Sequence, residues 1–162
     1  MATLDKSELD IALERLTPQW LAGFFDGEGC ITVTMSGVNN PRVMMSITQS
    51  DYNILHAIWI TFVEPGTGCL FKPVRKNPRG KENPCWLLHF TGKSCLPILR
   101  VIRPHVILKR KLVEWGIEMA ELTLTQGATG RGRLPEPILK RRHELMRLVK
   151  AENSSHKVDL AS

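Results

Sequence analysis

The run Trp20-Leu-Ala-Gly-Phe-Phe-Asp-Gly-Glu-Gly29 constrains this chain more than any other part of it. Trp20 with Phe24, and Leu21 with Phe25, recur at helical spacing, and Gly27 and Gly29 then stop the helix. Asp26 and Glu28 therefore stand at a helix C-terminus, where the carbonyl dipoles disfavour each exposed acid by about 0.3–1 kcal/mol. Something positive is expected to offset that. Ala22, Gly23 and Gly27 are small residues on the same helix. Glycine inside a helix costs about 1 kcal/mol against alanine, so a pair one turn apart points to a second backbone passing close by. If that backbone is a symmetry copy, two Glu28 carboxylates converge. Converging carboxylates suit a hard divalent cation such as magnesium, which takes oxygen ligands and keeps several waters.

After Gly29 the period changes from helical to alternating. Cys30 to Met35 reads as a half-buried strand with Ile31, Val33 and Met35 on one face and Thr32 and Thr34 on the other. Ser36 to Pro41 supplies turn chemistry. Arg42 to Gln49 returns with Val43, Met45 and Ile47 toward the core and Arg42, Met44, Ser46 and Thr48 away from it. A helix follows from about Asp51 to Val63, with Ile54, Leu55, Ile58 and Phe62 as its apolar stripe, and Pro65 to Gly68 breaks it. Cys69 to Arg75 and Cys85 to Thr91 read as a second hairpin, whose inward face stays open because Trp86 to Phe90 does not alternate cleanly. Helices are predicted at about 94–102, 106–123 and 136–151, and the opening Met1 to Leu16 as a short amphipathic helix. The result is an α+β fold, α-β-β-α-β-β-α, in which helices cover one face of a four-stranded antiparallel, saddle-shaped sheet. The other face is left for a partner. A single domain over 1–162 is expected, with its core at about 17–123 and a C-terminal loop and helix at about 124–155.

The distribution of charge indicates what kind of partner. Residues 1–60 hold 3 basic and 7 acidic residues, whereas 61–162 hold 19 basic and 9 acidic, so the net +6 arises wholly after the opening motif. A positive region attracts a polyanion, since each neutralised phosphate releases counterions. No apolar run approaches the roughly 20 residues that span a membrane, and no membrane partner is expected. The four cysteines show no C-x-x-C pairing and are expected to be buried free thiols. The acidic Met1 to Leu16 does not read as a transit peptide, so the chain is expected to be intracellular: cytoplasmic if archaeal, otherwise in the matrix or stroma of an organelle that encodes it. His56, His89, His105, His143 and His156 form no metal-ligand spacing, and no Walker-type loop occurs. A zinc nuclease and an ATP-driven enzyme are therefore disfavoured.

Leu21 to Gly29 resembles the LAGLIDADG motif of homing endonucleases, and the element order resembles that family's fold across about 17–123. The resemblance implies cleavage of both strands of a long DNA site by metal-dependent phosphodiester hydrolysis, with Mg2+ held by Glu28 and the Gly27 carbonyl. It also implies that Gln49, at the end of the second strand, and Lys109, before the long helix, organise solvent around the metal. Read from the residues alone, Gln49 is equally a polar strand terminus, and Lys109 to Lys111 a solvated basic run at a helix start. Asp26 is expected to be structural. The motif occurs once, which resembles members that act as homodimers and implies an interface through Trp20, Ala22, Gly23, Phe24 and Gly27. Such a dimer meets a nearly palindromic target of about 20 base pairs.

Base readout is expected from Thr32, Thr34, Ser36, Arg42, Ser46 and Thr48 on the first hairpin and from Lys72, Arg75 and Lys76 on the second. Phosphate contacts are expected from Arg79, Lys81, Lys111, Arg131, Arg133, Lys140, Arg141 and Arg142. An intron-encoded endonuclease is the leading reading. The alternatives are a maturase that binds its intron RNA and a non-cleaving DNA-binding regulator on the same scaffold.

Overall fold

The computed structural model describes residues 16–36, 39–63, 69–74, 85–124 and 134–158, of which 69–74 and 156–158 are described by their backbone alone. Its elements are α1 (Pro18–Glu28), β1 (Gly29–Met35), β2 (Pro41–Gln49), α2 (Tyr52–Phe62), β3 (Cys69–Val74), β4 (Cys85–Thr91), a 3-10 turn (Gly92–Cys95), α3 (Leu96–Ile102), α4 (Arg110–Leu124) and α5 (Glu136–Val158). The four strands form one sheet in the order β1-β2-β4-β3, every neighbouring pair antiparallel. The expected element order is thus met. The predicted helix at Met1 to Leu16 falls almost wholly outside the described residues.

The α1 helix begins where the sequence supplies a cap. The Thr17 hydroxyl accepts from the Trp20 N–H at 3.1 Å, and Pro18 follows, its missing N–H costing nothing in a first turn. At the other end no residue separates helix from strand: Glu28 closes α1 and Gly29 opens β1. A Cβ on Gly29 would lie 2.2 Å from the Phe25 ring, so only glycine lets the strand leave across the last helical turn. Asn39 takes the left-handed φ of 65° in the β1–β2 turn, a conformation asparagine tolerates better than most residues.

Strand alternation resolves the two faces of the sheet. Ile31, Val43, Met45, Ile47, Leu88 and Phe90 are buried against the helices, joined there by Leu21, Phe25, Leu55, Ile58, Leu99, Val113 and Leu145 in one apolar core. Losing a side chain as large as Phe25 from such a core costs about 3–5 kcal/mol. The opposite face carries Cys30, Thr32, Thr34, Arg42, Met44, Ser46, Thr48, Leu87, His89 and Thr91, none of them buried. This settles the face of β4 that the sequence left open, with Leu88 and Phe90 inward. One edge of the sheet is closed by α5, where the Asn153 side chain donates to the Ile31 carbonyl at 2.9 Å.

Two helices depart from their predicted bounds for identifiable reasons. The helix expected from 106 starts at Arg110, because the N–H groups of 107–109 are engaged by a carboxylate from α1. The helix expected to end near 151 runs to Val158. Its turn-forming residues are satisfied without breaking it: Asn153 bonds Ile31, while the Ser154 and Ser155 hydroxyls donate to the Lys150 and Glu152 carbonyls. The cysteine expectation also needs amending: Cys95 is buried, but Cys85 is half-buried and Cys30 exposed on the open face. No described helix is long and apolar enough to cross a membrane.

Candidate active site

The site forms where the C-terminus of α1 meets the N-terminus of α4. Asp26 Oδ2 accepts the N–H groups of Ile107 at 2.8 Å and Leu108 at 3.1 Å, and Oδ1 accepts that of Lys109 at 3.0 Å. The Lys109 carbonyl in turn receives the Val113 N–H, so this carboxylate caps α4 from another helix. The Lys109 ammonium reaches back to the end of α1, donating to the Phe25 carbonyl at 3.1 Å and to the Asp26 carbonyl. Acid lies at a positive helix end and base at a negative one, the arrangement the macrodipole favours. The positive partner required by Asp26 is therefore the start of α4 together with Lys109. Partial burial holds the Lys109 ammonium below the ordinary lysine range, opposed by the charges of Asp26, Cys30 and Glu28.

Glu28 is left out of this exchange. It is exposed and makes no hydrogen bond or ion pair among the described residues. The pairing of Gly29 with Ile47 puts Glu28 at the same end of the ladder as Thr48 and Gln49. Gln49 shares the strand parity of the core-facing residues, and its side-chain oxygen accepts from the Ser50 N–H at 2.7 Å and the Ser50 hydroxyl at 3.0 Å. Glu28, Gln49 and Lys109 thus gather at one end of the sheet, with Lys109 and Gln49 each held by local bonds. A free, exposed carboxylate fits magnesium, which takes one or two carboxylates and fills its remaining positions with water and phosphate oxygens. The described residues contain no group of three or more histidine, cysteine or acidic side chains placed to hold a metal ion. Glu28 is the last residue of α1, and Gly27, whose carbonyl the sequence resemblance assigns to the metal with it, immediately precedes it.

The outer face of α1 presents Trp20, Gly23, Phe24 and Gly27 at helical spacing. Trp20 and Phe24 stack with ring centroids 4.9 Å apart. Among the described residues, a Cβ added at Gly23 or Gly27 meets nothing within 4 Å, so their packing gives neither glycine a reason. Ala22, expected on this face, is fully buried on the opposite one and belongs to the chain's own core. Sequence reading missed Ile107 and Leu108, which are 80% and 71% exposed beside the same helix end. Two large apolar residues in a row before a helix were the available signal.

The basic residues separate into free and committed groups. Arg142 is not a phosphate ligand. It is fully buried, its guanidinium donating to Asn40 Oδ1 at 2.6 Å, the Leu122 carbonyl at 3.0 Å and the Thr123 hydroxyl at 3.1 Å. Burial, reinforced by nearby Arg42, holds its pKa below the arginine norm. Arg141 is committed as well, to Glu118 at 2.8 Å and to Glu144 at 2.8 Å. Lys111 lies 3.4 Å from Glu152 but keeps an exposed side chain, and Lys140 is exposed. On the open sheet face stand Thr32, Thr34, Arg42, Ser46 and Thr48, with Ser36 at the adjoining turn. Lys72 is opposite Leu87 by register. Arg75, Lys76, Arg79, Lys81, Arg131 and Arg133 lie outside the described residues.

No family model and no curated protein matches the chain. Solved structures do. It is similar to the homing endonuclease I-TnaI at 20% identity and a TM-score of 0.58, over 86% of this chain and 97% of that one. It is similar to the homing endonuclease I-CvuI in complex with its target at 20% identity and a TM-score of 0.58, over 83% and 80%. To the LAGLIDADG homing endonuclease I-GzeII in complex with its DNA target the identity is 13% and the TM-score 0.60, over 81% of this chain but only 44% of that one. The chain has the LAGLIDADG homing-endonuclease fold. It matches nearly the whole of I-TnaI and less than half of I-GzeII.

Proposed function

We propose that this chain is a homodimeric, site-specific DNA endonuclease that is intron-encoded and hydrolyses both strands of a pseudo-palindromic target with magnesium. The observation that carries the proposal is Glu28: an exposed carboxylate with no hydrogen bond or ion pair among the described residues, at the end of a helix whose outer face bears two glycines that the packing of those residues does not require. Two copies packed through Gly23 and Gly27 bring two such carboxylates together, and the exposed Ile107 and Leu108 flank that contact. Glu28 and the Gly27 carbonyl would hold magnesium, which would supply Lewis-acid chemistry at the scissile phosphate. Lys109, anchored on the α1 carbonyls, fixes the helix end from which Glu28 projects and sets a positive charge beside the phosphate. Gln49 orients solvent at the strand end. I-CvuI and I-GzeII, which share this fold, are described in complex with their DNA targets.

The test uses a plasmid library of inverted repeats, randomised over about ten base pairs per half-site as a 20-base-pair target requires. Wild-type protein is expected to linearise a subset in magnesium and none in EDTA. Glu28→Gln is expected to bind the same subset uncut. Wild type that cuts nothing in magnesium, or a Glu28→Gln variant that still cuts, sinks the proposal.

A further inference from the structure

The open sheet face carries an uneven chemistry. Strand pairing sorts the side chains of β1, β2 and β4 into rows running outward from the Glu28 end: Thr48 beside Leu87; then Cys30, Ser46 and His89; then Thr32, Met44 and Thr91; last, Thr34 beside Arg42. Among these residues of β1, β2 and β4 Arg42 alone carries a permanent charge, and on β3 the register places Lys72 opposite Leu87. The Nε of Arg42 is buried without an acceptor, and Arg42 has no ion pair among the described residues. Met44 and Leu87 stand on this face half-buried, although the core that the helices cover is on the other side.

Each of these chemistries reads a different base edge. Arginine donates to the guanine O6 and N7 pair; hydroxyls discriminate little; apolar groups and threonine methyls meet the C5-methyl of thymine. Rows two residues apart are about 6.7 Å apart along a strand, close to two base-pair steps of about 3.4 Å each. Met44 is four residues and Arg42 six residues outward from Thr48, or about four and six base pairs at that spacing.

We propose that this face selects a half-site with an A·T-rich interior, thymine methyls lying against Met44 and Leu87, bounded at its outer end by a guanine that Arg42 reads. The proposal rests on the reading of the chain as a DNA endonuclease and adds the bases it prefers. Met44, Leu87, His89 and Thr91 join the specificity-determining residues, and Arg42 becomes the sole guanine reader of the first hairpin.

The test is selection of bound duplexes from the inverted-repeat library by the full chain in EDTA, followed by sequencing. Wild type is expected to enrich A·T pairs in the interior and guanine about six base pairs outward from the position facing Thr48. Arg42→Gln is expected to lose that guanine preference by about tenfold or more, and Arg42→Lys to retain part of it. Met44→Arg is expected to create a new guanine preference about two base pairs inward of the first. A G·C-rich interior in the wild type, an outer guanine that survives Arg42→Gln, or a Met44→Arg profile identical to wild type each overturns the proposal. If Arg42→Gln does not fold, the wild-type and Met44→Arg profiles decide. Enrichment of no sequence at all overturns the DNA reading itself, and this proposal with it, whereas enrichment of the wrong bases overturns this proposal alone.

Discussion

Asp26 and Lys109 exchange caps across 83 residues of sequence: the carboxylate closes the start of α4, and the ammonium closes the end of α1. Two helix ends that sequence reading assigns the wrong charges are each corrected by the other. Asp26→Ala leaves three backbone N–H groups without their acceptor, and an unsatisfied donor costs about 1–3 kcal/mol. Partial access to water limits the total, so a loss of about 2–4 kcal/mol is expected in urea denaturation, with Asp26→Asn losing less because one carbonyl oxygen remains. A loss below about 0.5 kcal/mol for Asp26→Ala, the range of an ordinary surface change, contradicts the capping role.

Gly23→Leu separates assembly from folding. With open space beyond Gly23, and leucine the better helix former by up to about 1 kcal/mol, the single chain is expected to be at least as stable. Sedimentation is expected to report a dimer for wild type and a monomer for Gly23→Leu, with Ile107→Glu weakening the dimer in the same direction. A variant that stays dimeric shows that the pairing of copies does not run through α1.

For Arg142 the prediction concerns stability and not binding. Arg142→Ala removes the donor to Asn40 Oδ1 and opens a cavity, so a loss of about 2–5 kcal/mol is expected. Among protein that remains folded, the salt dependence of DNA affinity is expected to match wild type. A salt slope reduced by about one unit identifies Arg142 as a phosphate ligand after all.

Thiol chemistry tests the burial pattern. The Cys95 thiol is pushed up to about 12 by burial, and at pH 8 it is expected to resist iodoacetamide until the chain unfolds, while exposed Cys30 is labelled in the native state. The neutral thiol is favoured in the folded chain, so stability is full below pH 9, the ordinary value, and falls as pH rises from there toward about 12. Cys95→Ala is expected to flatten that alkaline decline. Native-state labelling of Cys95 as fast as Cys30 rules the burial out.

The elements were legible wherever periodicity alone decides them. Val43, Met45 and Ile47 alternate as the sequence reads, and Trp20 and Phe24 fall on one helix face. Long-range partners were not legible. Arg142 looked like any surface arginine because its main acceptor, Asn40, lies 102 residues away. Ala22 was assigned to the wrong face because small size suits a helix contact as well as a tight core. The site was read in part: the misplacement of Asp26 and Glu28 announced that something cationic must come near. That α4 itself answers Asp26, and leaves Glu28 without a hydrogen bond among the described residues, depends on a fold contact that no local pattern encodes.

The missing connector between Glu28 and Gly29 has a mechanical meaning. With the carboxylate on the last helical residue and the open sheet face beginning at Cys30, there is no slack between Glu28 and that face. A helix fixed at its far end by Thr17 and at its near end by Lys109 behaves as a stiff bracket, and β1 extends it as a gauge. On the proposed reading, a groove of the wrong width tilts the gauge and carries the carboxylate off the scissile phosphate. Recognition and cutting then share one tolerance, without a moving part to enforce it.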